Sequence, residues 1–194
     1  MEISKVLEQL EREAVEGGVP ILRGPERPLL LSAAALAGPV RVLEIGTAIG
    51  YSSLLMADRF PEAVIDTIEL DEARYQRARR AVDDAGCGAR IHCHLGDAAE
   101  ILPKLQGPYD FLYLDGPKGQ YLRHLKLAEP LLSSHAVIVA DNVLFRGLVE
   151  GEEPVPHRYR TLVMRLREYI AYVRDQYLTE IYRDGDGLAV SRRR

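Results

Sequence analysis

The sequence predicts an α/β domain built on a doubly wound, mostly parallel seven-stranded sheet with one antiparallel strand and extra N-terminal helices. Two observations carry that expectation. Between residues 40 and 141, short β-branched apolar runs alternate with segments of helical periodicity, as parallel strands joined by crossover helices do. After a long amphipathic segment, the chain then closes on two short strand-like runs separated by Asp184-Gly185-Asp186-Gly187, which reads as an antiparallel hairpin.

The elements follow in order. Residues 3–16 place Val6, Leu7, Leu10 and Ala14 at helical spacing. A Gly-Gly break follows, and then a second apolar helix over 29–37. VRVLEIG, 40–46, is a β-branched run ending in glycine, as a buried parallel strand should read. The spacing next predicts a helix over 51–58, a strand over 63–70, a helix over 71–85, a strand over 90–96 and a short helix over 98–105. Two more strands, 111–115 and 136–141, flank a helix over 121–132. In 159–176, Leu162, Leu166, Tyr169, Ile170 and Val173 share one face, which is read as core or dimer surface. The whole is one domain over 1–194, with 1–38 as helices covering the site and 39–194 as the sheet core.

A chain of 194 residues holds one full α/β core and is too short for two. With 47% hydrophobic and 28% charged residues it is globular rather than disordered. The longest apolar run, within 29–37, is too short to span a bilayer, and the charged N-terminus does not read as a signal peptide. The expected location is therefore the cytoplasm, without membrane association. Cys87 and Cys93 make no disulfide framework. A net charge of −4 weighs against non-specific phosphate binding, although a local basic patch can override it.

In doubly wound sheets, ligands bind beyond the carboxyl ends of the strands where the strand order reverses. The first strand ends in Glu44-Ile45-Gly46-Thr47-Ala48-Ile49-Gly50, where Gly46 permits a tight turn and Gly50 is read as letting the next helix start close to the sheet. The second strand ends in Glu69, 23 residues after Gly46, where a carboxylate can accept both ribose hydroxyls of an adenosine. The loop lacks the glycines that let backbone approach a pyrophosphate, which disfavours a nicotinamide dehydrogenase. A sulfonium nucleoside, S-adenosylmethionine, has no phosphate, and its aminoacyl end suits an acidic strand end such as Glu44. Gly96-Asp97-Ala98 after the third strand completes the set.

Asp115 ends the fourth strand, and Asp141-Asn142 end the fifth. Neighbouring strand ends bring these oxygens together, and oxygen-only ligation suits Mg²⁺, Mn²⁺ or Ca²⁺ rather than zinc. The alternative is that they are ordinary caps and Asx-turns. Lys118 follows three residues after Asp115, where it reads either as a base or electrostatic clamp or as a solvated loop lysine.

The segments VLEIGTAIGYSS, LDGPKGQY and VADNVLFRGLV resemble the cation-dependent O-methyltransferases of the catechol and caffeoyl-CoA type. That family has the Rossmann-like class I methyltransferase fold. Together with the terminal GDGLAVS and its basic tail, they are most similar to the bacterial branch that contains tRNA 5-hydroxyuridine methyltransferase. The resemblance runs from about Val19 to the C-terminus. It implies that Asp115, Asp141 and Asn142 ligate a divalent cation such as Mg²⁺, and that Lys118, with Asp115, carries the catalytic role. It also implies that Leu22, Glu44, Gly46, Ser52, Glu69, Asp97 and Asp115 contact or enclose S-adenosylmethionine. The acceptor it implies is 5-hydroxyuridine in tRNA, with a small catechol-like phenol as the alternative, and the assembly is a homodimer.

Gly116-Pro117 departs from the relatives' pattern and can shift Lys118. The basic run before the long helix is thinned here to His157-Arg158-Tyr159-Arg160. Arg146, Arg158, Arg160, Arg165, Arg167 and the Arg192-Arg193-Arg194 tail form a candidate phosphate-contacting rim, or else a solvated face. His92-Cys93-His94 looks like a metal cluster, yet its side chains alternate across a strand and are expected to pack structurally. A non-catalytic cofactor-binding scaffold is the remaining alternative.

Overall fold

The computed structural model describes residues 2–22, 24, 26–151 and 154–194. Two N-terminal helices, α1 (Ile3–Gly17) and α2 (Glu26–Ala37), precede an alternating core. The core runs β1 (Arg41–Ile45), α3 (Tyr51–Arg59), β2 (Val64–Glu69), α4 (Glu72–Asp84), β3 (Ile91–Leu95), α5 (Ala98–Ile101), β4 (Tyr109–Leu114), α6 (Tyr121–Ala128) and β5 (Leu132–Ala140). It ends with α7 (Arg160–Gln176), β6 (Leu178–Tyr182) and β7 (Leu188–Arg192).

The sheet order is β3-β2-β1-β4-β5-β7-β6. The first five strands pair in parallel, and β7 is antiparallel to both β5 and β6. The reversed strand therefore lies one place in from the edge, as the terminal hairpin predicts. Apolar residues of α1, α2, α3 and α4 pack on one face of the sheet. Those of α6 and α7 pack on the other. Of the α7 stripe, Leu166, Tyr169, Ile170 and Val173 are buried in that second core together with Val163, and Leu162 packs against it partly buried.

Several boundaries differ from the sequence expectation, α5 ending at Ile101 and β4 beginning at Tyr109 among them. Helix α2 begins one turn early, at Glu26. Helix α6 stops at Ala128, because Pro130 enters a short 3₁₀ turn over Glu129–Leu131. The fifth strand then starts at Leu132, which pairs with Tyr109 before an irregularity in register. Among the described residues, no helix is long and apolar enough to cross a membrane.

His92 and His94 lie on the face of the sheet opposite Cys93. His94 Nε2 hydrogen-bonds Asp66 Oδ1 at 2.8 Å, whereas Cys93 packs with the α4-side core. Asp66 is buried and also accepts from Tyr109 Oη at 2.8 Å and Arg41 at 3.3 Å. Burial alone would raise its pKa, but the His94 and Tyr109 hydrogen bonds and the histidine charges outweigh it, so the net direction is down. Asp66→Asn should therefore cost about 2 kcal/mol at neutral pH, the scale of charged hydrogen bonds. Because the folded pKa is depressed, the contribution of the charge is complete above the unfolded carboxylate range and is lost as pH falls through the folded value. Urea denaturation of both proteins at neutral and acid pH checks this, and the gap between them should narrow in acid.

Candidate active site

The chain crosses from β1 outward to β3 and then returns to place β4 on the other side of β1. The helices that follow β1 and β4 pack on opposite faces of the sheet at that reversal, and a cavity of about 650 Å³ opens there. Its wall includes Gly46 after β1, Glu69 at the end of β2, Asp97 after β3, Asp115 after β4 and Asp141 after β5.

Gly46 has φ 107°. A Cβ on it would lie 2.5 Å from the Asp115 carbonyl oxygen, so only glycine lets the β1 and β4 turns pass this closely. At Gly50 (φ 89°) the close approach is to Ala78 of α4, at 3.3 Å, rather than to the sheet. Glu69 is buried, and its carboxylate is aimed by two backbone groups. Oε2 accepts from Ala48 N–H at 2.8 Å, and Oε1 accepts from Asp71 N–H at 2.9 Å. The Asp97 side chain caps α5 by accepting from Ala99 N–H at 2.8 Å. Leu22, in the segment between α1 and α2, also lines the cavity.

Glu44 and Ser52 are not on the cavity wall. Glu44 is fully buried beneath the glycine loop, where its carboxylate accepts from the hydroxyls of Ser52, Ser53 and Thr67. Burial raises its pKa, and the three hydroxyls oppose that rise. This network ties the start of α3 to β1 and β2 and so fixes the loop from below.

Asp115, Lys118, Asp141 and Asn142 all line the cavity. Asp141 accepts from Tyr113 Oη at 3.2 Å, and its backbone carbonyl accepts from Tyr121 Oη at 2.9 Å. Asn142 takes a left-handed conformation, φ 54°, which asparagine tolerates. It directs its amide nitrogen to Asp141 Oδ1 at 3.1 Å. Burial raises the pKa of Asp115 above the usual carboxylate range, and the charge of Asp141 raises it further. Asp141 is itself raised by burial and by Glu26. Lys118 opposes both shifts, so its ammonium acts on both carboxylates even with Gly116-Pro117 before it.

Among the described residues, no group of three or more His, Cys, Asp or Glu side chains is arranged to hold a metal ion. The candidate donors are instead two carboxylates and one amide. Neighbouring buried negative charges with hard oxygen donors fit a divalent cation, whose charge would relieve their repulsion.

Sequence reasoning missed Glu26, His124 and Asp186, which also line the cavity. Asp186 was expected only to turn the hairpin. It does so, and it also accepts from Arg146 N–H at 3.2 Å, joining that turn to the loop after β5. The candidate rim arginines divide by their contacts within the chain. Arg160 and Arg167 donate to backbone carbonyls at Val155, Val149 and Leu148, and Arg165 pairs with Glu168. Arg146 and Arg158 instead lie over the Tyr159 ring, which packs edge-on to Phe145 at 5.2 Å.

The strand order, the reversed β7 and the cavity at the switch point define the class I S-adenosylmethionine-dependent methyltransferase fold. A family model described as O-methyltransferase matches residues 2–194, and the chain belongs to that family. It is 36% identical over 157 residues to a provisionally named O-methyltransferase of Mycobacterium tuberculosis, covering 75% of this chain and 67% of that one. It is 33% identical over 144 residues to a catechol O-methyltransferase of Niastella koreensis, covering 71% of this chain and 65% of that one. The chain thus spans about two thirds of the length of these two relatives. The O-methyltransferase TomG from Streptomyces achromogenes, solved in complex with S-adenosylmethionine, superposes with a TM-score of 0.81. It is 26% identical, over 97% of this chain and 89% of that one.

Proposed function

We propose that the protein moves a methyl group from S-adenosylmethionine to a hydroxyl that adjoins a second oxygen, with 5-hydroxyuridine in tRNA as the acceptor. The observation that carries the reaction is the convergence of Asp115, Lys118, Asp141 and Asn142 in one cavity with Glu69 and Gly46. Asp115, Asp141 and the Asn142 amide oxygen would hold a divalent cation such as Mg²⁺. When bound, that ion supplies a Lewis acid for an acceptor with two adjacent oxygens. Lys118 steadies the acceptor oxygen as it loses its proton, either by taking that proton or by its charge. Glu69 receives the ribose hydroxyls, and Leu22, Gly46 and Asp97 enclose the rest of the cofactor. Glu44 and Ser52 act through the loop they hold. The assembly expected is a homodimer.

Support for a nucleic-acid acceptor comes from the motif set and from Arg146 and Arg158 over Tyr159, an aromatic and cationic patch suited to a base and its phosphates. A second reading, a small catechol-type phenol, is favoured by the named substrate of the Niastella koreensis relative. Nucleoside mass spectrometry of tRNA from cells lacking the protein separates the two. Accumulated 5-hydroxyuridine is expected. Unchanged tRNA, together with transfer to a catechol panel by the purified protein, would establish the second reading instead.

Glu69→Gln should weaken S-adenosylhomocysteine binding by about 10- to 100-fold, as loss of charged hydrogen bonds to two hydroxyls implies. Calorimetric titration of the purified protein checks this.

A further inference from the structure

Asp141 follows β5 with its main chain already fixed. Its N–H donates to Leu114 O at 3.0 Å, and its carbonyl accepts from Tyr121 Oη at 2.9 Å. What the backbone leaves open is the rotation of the carboxylate, a torsion with broad preferences of its own. Three donors reach that carboxylate. Asn142 N–H and the Asn142 amide both meet Oδ1, at 2.6 Å and 3.1 Å. Of the three, only the Tyr113 hydroxyl reaches Oδ2, at 3.2 Å. Asn142 thus pins one end of the group, and Tyr113 pins the other.

Tyr113 is a firm support. Its side chain is fully buried and packs in the core on the α1-to-α4 side of the sheet. It stands opposite Glu44 across the β1–β4 pair, beside the carboxylate that fixes the glycine loop from below. Tyr121 reaches Asp141 from the other layer, where it belongs to the second core. Asp141 is therefore held from both faces of the sheet, its main chain by Tyr121 and its side chain by Tyr113. An ionised carboxylate oxygen has room for about two partners, so Oδ2 can accept from Tyr113 and still meet a cation. Partners that orient a metal's ligands in this way typically set its affinity by about 10- to 100-fold.

We propose that Tyr113 is a positioning residue whose hydroxyl holds the Asp141 carboxylate in the orientation that binds the divalent cation. The inference rests on the cation reading above, and the test keeps the two apart. Mn²⁺, whose free form is counted by electron paramagnetic resonance, is titrated into the parent, Tyr113→Phe, Tyr121→Phe and Asp141→Ala. S-adenosylhomocysteine is titrated separately into the same proteins.

Tyr113→Phe keeps the ring and its packing and removes only the hydroxyl. It should bind Mn²⁺ about tenfold more weakly, with affinity for S-adenosylhomocysteine within about twofold of the parent. Tyr121→Phe removes a bond to the main chain of the same residue and leaves the carboxylate's donors in place. Its Mn²⁺ affinity should stay within about threefold of the parent. A merely structural phenol would not separate the two variants in this way. Mn²⁺ binding by Tyr113→Phe within about threefold of the parent would overturn the role of Tyr113 alone. Equal weakening by both phenylalanine variants, or of Mn²⁺ and S-adenosylhomocysteine alike, would do the same. A parent that takes up no more Mn²⁺ than Asp141→Ala would overturn the cation reading and this inference together.

Discussion

Asp141→Ala should reduce methyl transfer at saturating acceptor and cofactor by about 10³-fold or more, the scale of losing a metal's charge stabilisation. Its affinity for S-adenosylhomocysteine should stay within about threefold of the parent, since Asp141 lies at the β5 end of the cavity and Glu69 at the β2 end. Stability should not fall with activity. Asp115 and Asp141 are both raised by burial, and the charge of Asp141 raises Asp115 further. Removing one relieves that repulsion, which offsets the loss of the bonds that Asp141 accepts from Asn142 N–H at 2.6 Å, from the Asn142 amide at 3.1 Å and from Tyr113 Oη at 3.2 Å. Thermal unfolding and turnover measured on one preparation check both halves. A large loss of activity with an unmoved melting temperature is the pattern of a site that strains its own fold.

The second large effect is on the fold itself. Gly46→Val should destabilise the protein by about 3–5 kcal/mol and abolish cofactor binding. At φ 107° a β-branched residue is strained in any surroundings. Here its Cβ would also meet Asp115 O at 2.5 Å, Asp115 C at 2.6 Å and Gly116 N at 2.8 Å. All three are backbone atoms, so no side chain can swing aside. The β1 and β4 turns would have to part, and these carry one wall of the cavity. Equilibrium denaturation gives the stability change, and titration with S-adenosylhomocysteine gives the binding.

Most of the architecture was legible because it depends on local patterns. Short β-branched apolar runs and period-3.6 segments mark β1 through α7, and acidic residues at or just beyond the ends of the apolar runs mark Glu69, Asp97, Asp115 and Asp141. What escaped depends on contacts across the chain. Glu44 reads like Glu69, an acid near a strand end, yet it sits two residues before the glycine turn, under the loop rather than beyond it. There Ser52, Ser53 and Thr67 turn it into a structural carboxylate. Glu26, His124 and Asp186 belong to a helix start, a helix interior and a hairpin turn. No spacing rule connects them, and only packing brings them to one cavity. Arg160, Arg165 and Arg167 show the converse. A run of cations on one segment reads as a binding rim, but each has a partner within the chain.

The central claim is that a cation held at Asp115, Asp141 and Asn142 makes a hydroxyl beside a second oxygen ready for methylation. The direct measurement is methyl transfer from labelled S-adenosylmethionine to hydroxyuridine-bearing tRNA and to a catechol panel. It is made on purified protein before chelation, after chelation and after Mg²⁺ is restored. The account predicts transfer to at least one of these acceptors, its loss on chelation and its return with Mg²⁺. Transfer that continues undiminished in the chelated protein would contradict it.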